Sequence, residues 1–371
     1  MKILILGGTG AMGVPLVSIL SETNEVWVSS RSARASSGNV KYVQGNAKER
    51  SFLEPLLLQD DWDAVVDFMV RSRENLRGIL PVLLENTRQY VFISSARVYA
   101  QSEGAITEET PRLLDCSTDE EFLKTEEYSL AKAREENLLL ESKKKNWTII
   151  RPSITYNDYR LQLGAFEKEG WLYRALHGRS IVFSEDLADK ITTMTSGNDV
   201  ARGIAAIIGN PETLGEIYHI TSPQALPWRN VLLAYKEALE DHLKRPVKVV
   251  MTEKTSYWEF KEQKYRLKYC RLYNRRFDNG KIGKHVDVST FISPEDGLKD
   301  CLKAFLLNPR FQSIDWRLEG IHDRVSDERT PLSEIPTFSG KVNYISYRYN
   351  CKFLLLLMKF IVKLKNTFRT I

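Results

Sequence analysis

The stretch Ile3-Leu4-Ile5-Leu6-Gly7-Gly8-Thr9-Gly10-Ala11-Met12-Gly13 decides the fold. Its first four residues form an apolar run without alternation, which is typical of a strand buried on both faces of a parallel sheet. Glycines follow directly, and apolar residues at helical spacing continue from Val14 to Leu20. A strand, a glycine-rich turn and a helix form the first unit of a dinucleotide-binding fold. The sequence therefore predicts an N-terminal α/β domain that binds a nucleotide.

The glycines at spacing Gly7-x-x-Gly10-x-x-Gly13 have separate roles in this interpretation. Gly7 allows a tight turn, Gly10 leaves room for a pyrophosphate beside the backbone, and Gly13 lets the helix pack close to the strand. The phosphates would lie at the helix N-terminus, where the helix dipole favours negative charge. A glycine turn that binds nothing is the alternative. The predicted cofactor contacts of the loop are Gly7, Thr9, Gly10, Ala11, Met12 and Gly13.

The composition is that of a globular protein with room for two domains: 371 residues, 43% hydrophobic and 27% charged. The net charge of +5 hints weakly at an anionic ligand. The cysteines are widely scattered without metal-ligand or redox spacing, so we expect reduced thiols, a cytoplasmic location and no metal site. The N-terminal apolar run is too short for a signal peptide, and no apolar stretch reaches the roughly 20 residues of a membrane span.

The second predicted strand, residues 25–30, is followed by Arg31 rather than by an acidic residue. NAD-preferring folds hold the ribose hydroxyls with an acidic side chain near this position. An arginine among small hydroxyl residues suits a 2′-phosphate, so we expect NADP as the preferred cofactor and NAD as the alternative. A solvated basic loop would explain the same residues. After the third predicted strand, Asn46 carries an amide that can hydrogen-bond an adenine edge.

Residues of a candidate catalytic site follow the fifth predicted strand and begin the next helix. Ser95 lies at the carboxyl end of a buried strand, where ligands bind in open α/β sheets. Tyr128 and Lys132 are four residues apart, so they project from one face of a helix. A tyrosine phenol is a weak acid, and a nearby ammonium group favours its ionised form. Such a pair can exchange a proton with a hydroxyl or a ketone.

The order of the glycine loop, Ser95 and the Tyr128/Lys132 pair resembles the extended short-chain dehydrogenase/reductase superfamily, also called the NAD-dependent epimerase/dehydratase family. The resemblance covers roughly residues 1–305 and is weakest after residue 225. It implies a Rossmann-like doubly wound parallel sheet with a smaller C-terminal substrate lobe. It also implies hydride transfer with a nicotinamide cofactor, and Pro152 in a loop that borders the nicotinamide.

The resemblance further implies roles for individual residues and a substrate. Tyr128 would be the acid/base and also a contact of the cofactor, and Lys132 its activator and the anchor of the cofactor ribose. Ser95 would be the residue that holds the substrate. The substrate would be a nucleotide-activated sugar, which places the protein in nucleotide-sugar metabolism and polysaccharide biosynthesis.

The residues after Ser95 narrow the reaction. In the 4,6-dehydratases of this family the active hydroxyl residue is followed by an Asp-Glu pair, whereas this chain has Ala96-Arg97. We therefore expect ketone reduction or 4-epimerisation, and we do not decide between them. Arg97 either contacts the substrate or forms a salt bridge with an acidic loop such as Glu108-Glu109. The competing hypothesis is a dinucleotide-binding protein without catalysis that contacts RNA or a protein partner.

We predict a Rossmann domain over residues 1–155, to which residues 191–222 return. The substrate lobe takes residues 156–190 and 223–335, and a tail with an apolar and basic helix takes residues 336–371. We favour docking of that helix on the body or in a homodimer over contact with a membrane surface.

Residues 254–276 are rich in cations and aromatics. A solvated helix face is the interpretation that we favour for them, followed by a clamp for the diphosphate of a nucleotide-sugar. Nucleic-acid binding ranks behind both.

Overall fold

The structure is a computed structural model that describes residues 1–351. The predicted apolar and basic helix at residues 353–365 lies outside these residues. The strands are β1 (Lys2–Leu6), β2 (Glu25–Ser30), β3 (Val40–Gln44), β4 (Trp62–Asp67), β5 (Thr87–Ile93), β6 (Trp147–Pro152), β7 (Ile154–Tyr156), β8 (Ile181–Ser184), β9 (Ile191–Thr192), β10 (Met194–Ser196), β11 (Glu216–Ile220), β12 (Leu226–Pro227) and β13 (Val249–Thr252). The helices are α1 (Gly13–Ser21), α2 (Arg50–Leu58), α3 (Arg73–Glu85), α4 (Leu113–Cys116), α5 (Glu120–Leu123), α6 (Tyr128–Leu140), α7 (Lys168–Leu176), α8 (Glu185–Ala188), α9 (Gly197–Ile207), α10 (Trp228–Leu243), α11 (Lys264–Arg266), α12 (Pro294–Leu307), α13 (Trp316–Ser326) and α14 (Phe338–Arg348).

The central sheet has seven strands in the order β11-β6-β5-β4-β1-β2-β3, and all its pairs are parallel. Parallel neighbours need crossover connections, and helices of the chain supply them on both faces of the sheet. The strand order changes direction between β1 and β4, so the carboxyl ends of these strands flank a crevice in which ligands bind in such folds. The predicted Rossmann-like doubly wound sheet is confirmed.

Each face of the sheet has its own apolar core because side chains alternate along a strand. In β1, Ile3 and Ile5 pack on one face with residues of α1 and α9. Leu4 and Leu6 pack on the other face with residues of α2, α3 and α6. All four side chains are fully buried, which explains why the run shows no polar alternation. These two cores fix α1 and α6, the helices that carry the candidate site.

The chain forms two compact units. Of the described residues, the first unit contains 1–159, 191–226 and 273–297, and the second contains 160–190, 227–272 and 298–351. Residues 273–297 thus belong to the first unit, whereas the sequence analysis assigned them to the substrate lobe. Backbone hydrogen bonds explain this placement, because Ile106 N donates to Arg276 O (2.7 Å) and Asp278 N donates to Ile106 O (2.9 Å).

The second unit is built around a buried arginine. Arg174 of α7 is fully buried and donates to Glu319 and Asp323 of α13, both at 2.8 Å. The hydroxyl of Tyr344 in α14 donates to the same Asp323 at 2.7 Å. Residues of α14 are therefore part of this unit, although the sequence analysis placed them in a tail. Within residues 1–351, no helix is both long and apolar enough to cross a bilayer.

The basic and aromatic segment at residues 254–276 consists of short helical turns and not of one continuous helix face. Arg271 is buried and donates to the Gln162 side chain at 3.0 Å. In the first unit, Arg275 donates to the carbonyl oxygens of Tyr99 (3.0 Å) and Ala100 (3.2 Å). These two arginines hold the fold together, so the predicted solvated face is wrong for them.

Candidate dinucleotide and substrate site

The glycine loop joins β1 to α1, and its glycines are there for different physical reasons. Gly7 has φ +74°, and a Cβ on it would lie 2.8 Å from the Met69 Sδ. A Cβ on Gly13 would lie 2.6 Å from the Cα of Gly8. A Cβ on Gly10 would meet no atom within 4 Å. Gly7 and Gly13 are thus required by the fold itself, whereas Gly10 borders open space in which a pyrophosphate fits.

Gly8 was not predicted as a functional residue, but the fold requires it. Its Cβ would lie 2.8 Å from Cγ2 of Ile5 and 2.9 Å from Cγ1 of Val28. Gly197, the first residue of α9, also supports the loop from outside, because a Cβ there would overlap the Ala11 carbonyl oxygen. In the sequence, the requirement for Gly8 is signalled only by the doubled glycine at positions 7 and 8. Nothing in the sequence signals the requirement for Gly197.

The N-terminus of α1 suits an anion. Its N-cap residue is Met12, whose side chain makes no capping hydrogen bond, and the first turn contains no acidic residue. Thr9 and Gly10 are exposed, and Ala11 is half-buried. Helix N-termini present N–H groups and a partial positive charge, which bind phosphates in dinucleotide folds. The loop and helix therefore fit the pyrophosphate of a nicotinamide dinucleotide.

Gly10 and Gly13 should respond differently to replacement by alanine. We expect Gly10→Ala to fold normally but to bind dinucleotide at least tenfold more weakly, because its methyl group occupies the open space. Gly13→Ala should instead destabilise the protein, since the methyl group would overlap the Gly8 backbone. Thermal unfolding and calorimetric titration with NAD and NADP measure both effects. Equal dinucleotide affinity of Gly10→Ala and wild type would contradict the assignment of this space.

The end of β2 lies beside the loop. The Ser29 hydroxyl oxygen accepts a hydrogen bond from Gly7 N at 3.1 Å, and Ser30 is buried next to it. Arg31 follows as an exposed residue, and its carbonyl oxygen accepts from the Gln44 side chain at 3.3 Å. The structure therefore leaves the Arg31 side chain at the surface directly after the strand whose end contacts the glycine loop.

Asn46 has local hydrogen-bond partners. Its Nδ2 donates to the Glu49 carboxylate at 2.9 Å, and its Oδ1 accepts from Lys48 N at 3.2 Å. These bonds form the turn that leads into α2. An adenine contact of this amide stays a prediction, since beside these two bonds the amide keeps a second Nδ2–H donor and a second Oδ1 lone pair.

Ser95 and Ser94 follow β5 and have different partners. Ser94 donates its hydroxyl hydrogen to Glu136 at 2.6 Å. The Ser95 hydroxyl oxygen accepts from Arg97 N at 3.2 Å, as the N-cap of a short turn over Ala96–Val98. A hydroxyl that accepts one bond still has a hydrogen to donate, and within residues 1–351 that hydrogen has no acceptor. Ser95 is therefore the serine that can hold a substrate oxygen.

Tyr128 is the first residue of α6, and Lys132 lies one turn later on the same helix. Tyr128 is 38% exposed, whereas Lys132 is 3% exposed. The Lys132 ammonium forms an ion pair with Glu135 (2.8 Å) and lies 4.7 Å from the ring centre of Phe92 in β5. Burial raises the pKa of the Glu135 carboxyl, and the Lys132 charge opposes that rise. The two residues thus lie one turn apart on α6, with Tyr128 partly exposed at the surface and the Lys132 ammonium buried and paired with Glu135.

Arg97 lies beside Tyr128. Its guanidinium carbon is 5.1 Å from the centre of the Tyr128 ring, and it forms an ion pair with Glu127. The predicted alternative of a salt bridge is thus observed, but its partner is Glu127 and not the loop Glu108-Glu109, of which Glu108 accepts from His219 N at 3.0 Å. The pairing with Glu127 attaches Arg97 to the N-terminus of the helix that carries Tyr128.

A buried carboxylate connects the elements of the site. Glu136 is fully buried and accepts from Ser94, from Arg151 at 2.7 and 2.8 Å, and from Arg112 at 3.2 Å. Burial acts against the Arg151 charge, but the Glu136 carboxylate outweighs it and holds the pKa of that guanidinium above its ordinary value. Pro152, predicted to border the nicotinamide, is the buried last residue of β6 directly after Arg151. Glu136 therefore ties the ends of β5 and β6 to α6.

Sequence reasoning overlooked Glu136. The sequence does contain a signal for it: Glu135 and Glu136 are adjacent carboxylates one turn after Lys132, in a helix that has to pack on the sheet.

Within residues 1–351 no group of three or more His, Cys, Asp or Glu residues is placed to hold a metal ion.

A parallel sheet with a direction change, an open glycine loop at the start of α1 and a Tyr/Lys pair near the end of β5 define a Rossmann-type dinucleotide-binding protein. The chain belongs to the NAD dependent epimerase/dehydratase family, whose model matches residues 3–221. The predicted family is confirmed.

Solved structures of this family share the fold. A dTDP-glucose 4,6-dehydratase from Bacillus anthracis, in complex with NAD, superposes with a TM-score of 0.61 at 18% identity, covering 83% of this chain and 97% of the other. A UDP-glucose 4-epimerase from Bifidobacterium longum, in complex with NAD+ and UDP, gives a TM-score of 0.60 at 17% identity, with 83% and 99% covered. At such identities the likeness shows the fold alone.

One curated relative is named for binding a stem-loop and not for a reaction. The chloroplast stem-loop binding protein of 41 kDa b from Arabidopsis thaliana is 26% identical over 253 residues, which are 64% of this chain. The chain spans 63% of the length of that relative.

Proposed function

We propose that the protein is an NAD(P)-dependent enzyme that reduces or 4-epimerises a nucleotide-activated sugar. The observation that carries this proposal is the placement of Tyr128 and Lys132 one turn apart at the start of α6, whose Lys132 packs on β5 before Ser95. The family supports an NAD-dependent reaction. The sugar nucleotides named for the solved neighbours, dTDP-glucose and UDP-glucose, support the substrate class.

In this mechanism the nicotinamide dinucleotide supplies the hydride donor or acceptor. The glycine loop binds its pyrophosphate, and Gly10 leaves the space for it. Ser95 donates a hydrogen bond to the substrate oxygen at the reacting carbon. The Tyr128 phenol oxygen in its ionised form takes a proton from that oxygen as the carbon is oxidised, and the neutral phenol returns it as the carbon is reduced. Lys132 is the proposed anchor of the cofactor ribose, and Glu135 fixes its ammonium in place.

The residues beside Ser95 argue against dehydration. Elimination of water from a sugar needs one group that protonates the leaving hydroxyl and one that removes a proton from carbon. Ala96 and Arg97 stand at the positions where the family's dehydratases have an acid pair, and neither side chain can do this work. We therefore propose reduction or epimerisation at one ring carbon.

The cofactor assignment is tested at Arg31. The NAD complexes among the solved neighbours favour NAD, but β2 of this chain is followed by an exposed arginine, and we propose NADP as the preferred cofactor on that ground. Replacing Arg31 with alanine removes a charged hydrogen bond to the 2′-phosphate and should weaken NADP binding about 10- to 100-fold. NAD affinity should stay the same. Isothermal titration with both cofactors measures this.

Arg88→Ala is the matched control, because Arg88 is exposed and forms an ion pair with Asp63. It should change neither affinity. Tighter binding of NAD than of NADP by the wild type would overturn the NADP preference and leave the enzyme proposal intact. Absence of binding of either dinucleotide would overturn the enzyme proposal. Homodimer formation and a cytoplasmic location are further proposals from the sequence, and neither enters this test.

The name of the Arabidopsis relative favours nucleic-acid binding as a second candidate function. Its sequence basis is the basic segment at residues 254–276, yet Arg271 and Arg275 of that segment are buried and bonded within the protein. An electrophoretic shift assay with an RNA stem-loop, repeated over a range of salt concentrations, tests this candidate. Binding that Tyr128→Phe leaves unchanged would support it.

A further inference from the structure

We propose that Arg97 selects the substrate class by binding a carboxylate on the sugar, so that the substrate is a nucleoside-diphosphate uronic acid. This inference rests on the proposed function, because it takes Ser95 and Tyr128 as the residues around the reacting carbon. It goes beyond that function by naming the substituent that the site recognises.

The position of Arg97 identifies which part of a substrate it can reach. Its guanidinium carbon lies 5.1 Å from the Tyr128 ring centre, and its backbone N donates to Ser95. A group that close to both residues lies beside the carbon that reacts. In a nucleotide-sugar the diphosphate is attached to the anomeric carbon, and C4 lies across the ring from it. The substituents next to C4 are the C3 hydroxyl and the C6 group on C5, of which C6 can be a carboxylate.

The guanidinium has hydrogen-bonding capacity left. Its Nη2 pairs with Glu127, but its Nε is buried and has no hydrogen-bond partner within residues 1–351. A buried N–H without an acceptor is unfavourable, and a bound acceptor removes that cost. Arginine presents planar, forked donors that match a carboxylate better than a hydroxyl. The unsatisfied donor therefore favours an anionic substituent over a neutral one.

The ion pair with Glu127 holds the Arg97 guanidinium in position and leaves its Nε–H donor without an acceptor in the described part of the chain. One oxygen of Glu127 accepts from Ser129 N at 2.7 Å, which caps α6, and the other faces Arg97. The helix N-terminus stabilises part of the negative charge of that carboxylate. Arg97 is therefore held on the helix that carries Tyr128, with its side chain 22% exposed. A preorganised cation of this kind binds a ligand without losing side-chain freedom on binding.

The experiment compares acidic and neutral sugars on the same nucleotide. Protein loaded with NAD or NADP is titrated calorimetrically with UDP-glucuronate and UDP-glucose, and with dTDP-glucuronate and dTDP-glucose. For whichever of the two nucleotides, UDP or dTDP, the protein prefers, we expect the glucuronate form to bind at least tenfold more tightly than the glucose form. Arg97→Met should remove this preference and leave the affinity for the neutral sugar within twofold. Arg97→Lys, which keeps the charge but loses the fork, should keep part of the preference.

The matched control is Arg88→Met, which should keep the full preference, and thermal unfolding verifies that each variant is folded. Equal affinity of the wild type for both sugars, or equal weakening of both by Arg97→Met, would overturn the role of Arg97 while the proposed function stands. If no sugar nucleotide binds, the proposed function itself is overturned, and this inference with it.

Discussion

Replacing Tyr128 with phenylalanine should lower turnover of the sugar nucleotide by about a hundredfold to ten-thousandfold, the range that a positioned acid/base contributes. The substitution removes one oxygen atom from a side chain that is 38% exposed, so the fold should not change. Tyr128 lies at the start of α6, and the glycine loop does not depend on it. We therefore expect the variant to bind its dinucleotide. Cofactor absorbance measures turnover of a reduction, chromatographic separation of substrate and product measures turnover of an epimerisation, and titration measures binding.

Tyr349→Phe is the control for this experiment, because Tyr349 is also an exposed tyrosine but lies at the end of α14 in the second unit. It should keep wild-type turnover. A Tyr128→Phe variant with undiminished turnover would show that another group moves the proton. Loss of dinucleotide binding together with turnover would instead assign Tyr128 to the cofactor site and leave its proton transfer undemonstrated.

The strands of the Rossmann sheet were predictable because parallel strands buried on both faces appear as continuous apolar runs. Ile3 to Leu6 is such a run, and so is the core of β5, where Tyr90, Val91 and Phe92 are each at most 1% exposed. The second unit was less predictable. It depends on Arg174 and on carboxylates more than a hundred residues away in sequence, such as Glu319 and Asp323. Charged residues in a fully buried cluster look like surface residues in a sequence.

The positions of the candidate site residues were predictable from spacing, but their partners were not. The four-residue separation of Tyr128 and Lys132 fixes their common helix face. The partner of Arg97 is 30 residues away in the chain, and the sequence offered several carboxylates for it. The partner of Lys132 is Glu135, three residues along the same helix, so that ion pair was within reach of the sequence. The interpretation considered only what Lys132 offers to Tyr128 and to a cofactor.

Replacing Glu136 with glutamine should destabilise the first unit by about 3–5 kcal/mol, because it leaves the Arg151 guanidinium buried without an anion. Arg151 is 2% exposed and has Glu136 as its carboxylate partner at 2.7 Å. For a unit of this size the loss should lower the melting temperature by about 10 °C. Turnover below the melting temperature should also fall, since Glu136 holds Ser94, next to Ser95, and lies on the helix of Lys132.

Two comparisons separate this explanation from a general sensitivity of α6. Glu141→Gln changes an exposed carboxylate at the end of the same helix and should have little effect on unfolding. The double replacement Glu136→Leu with Arg151→Met removes both buried charges and should be more stable than Glu136→Gln, because no unpaired guanidinium is left. Arg112 stays paired with Asp115 at 2.7 Å in that variant. If the double variant is less stable than Glu136→Gln, the loss comes from packing and not from the unpaired charge.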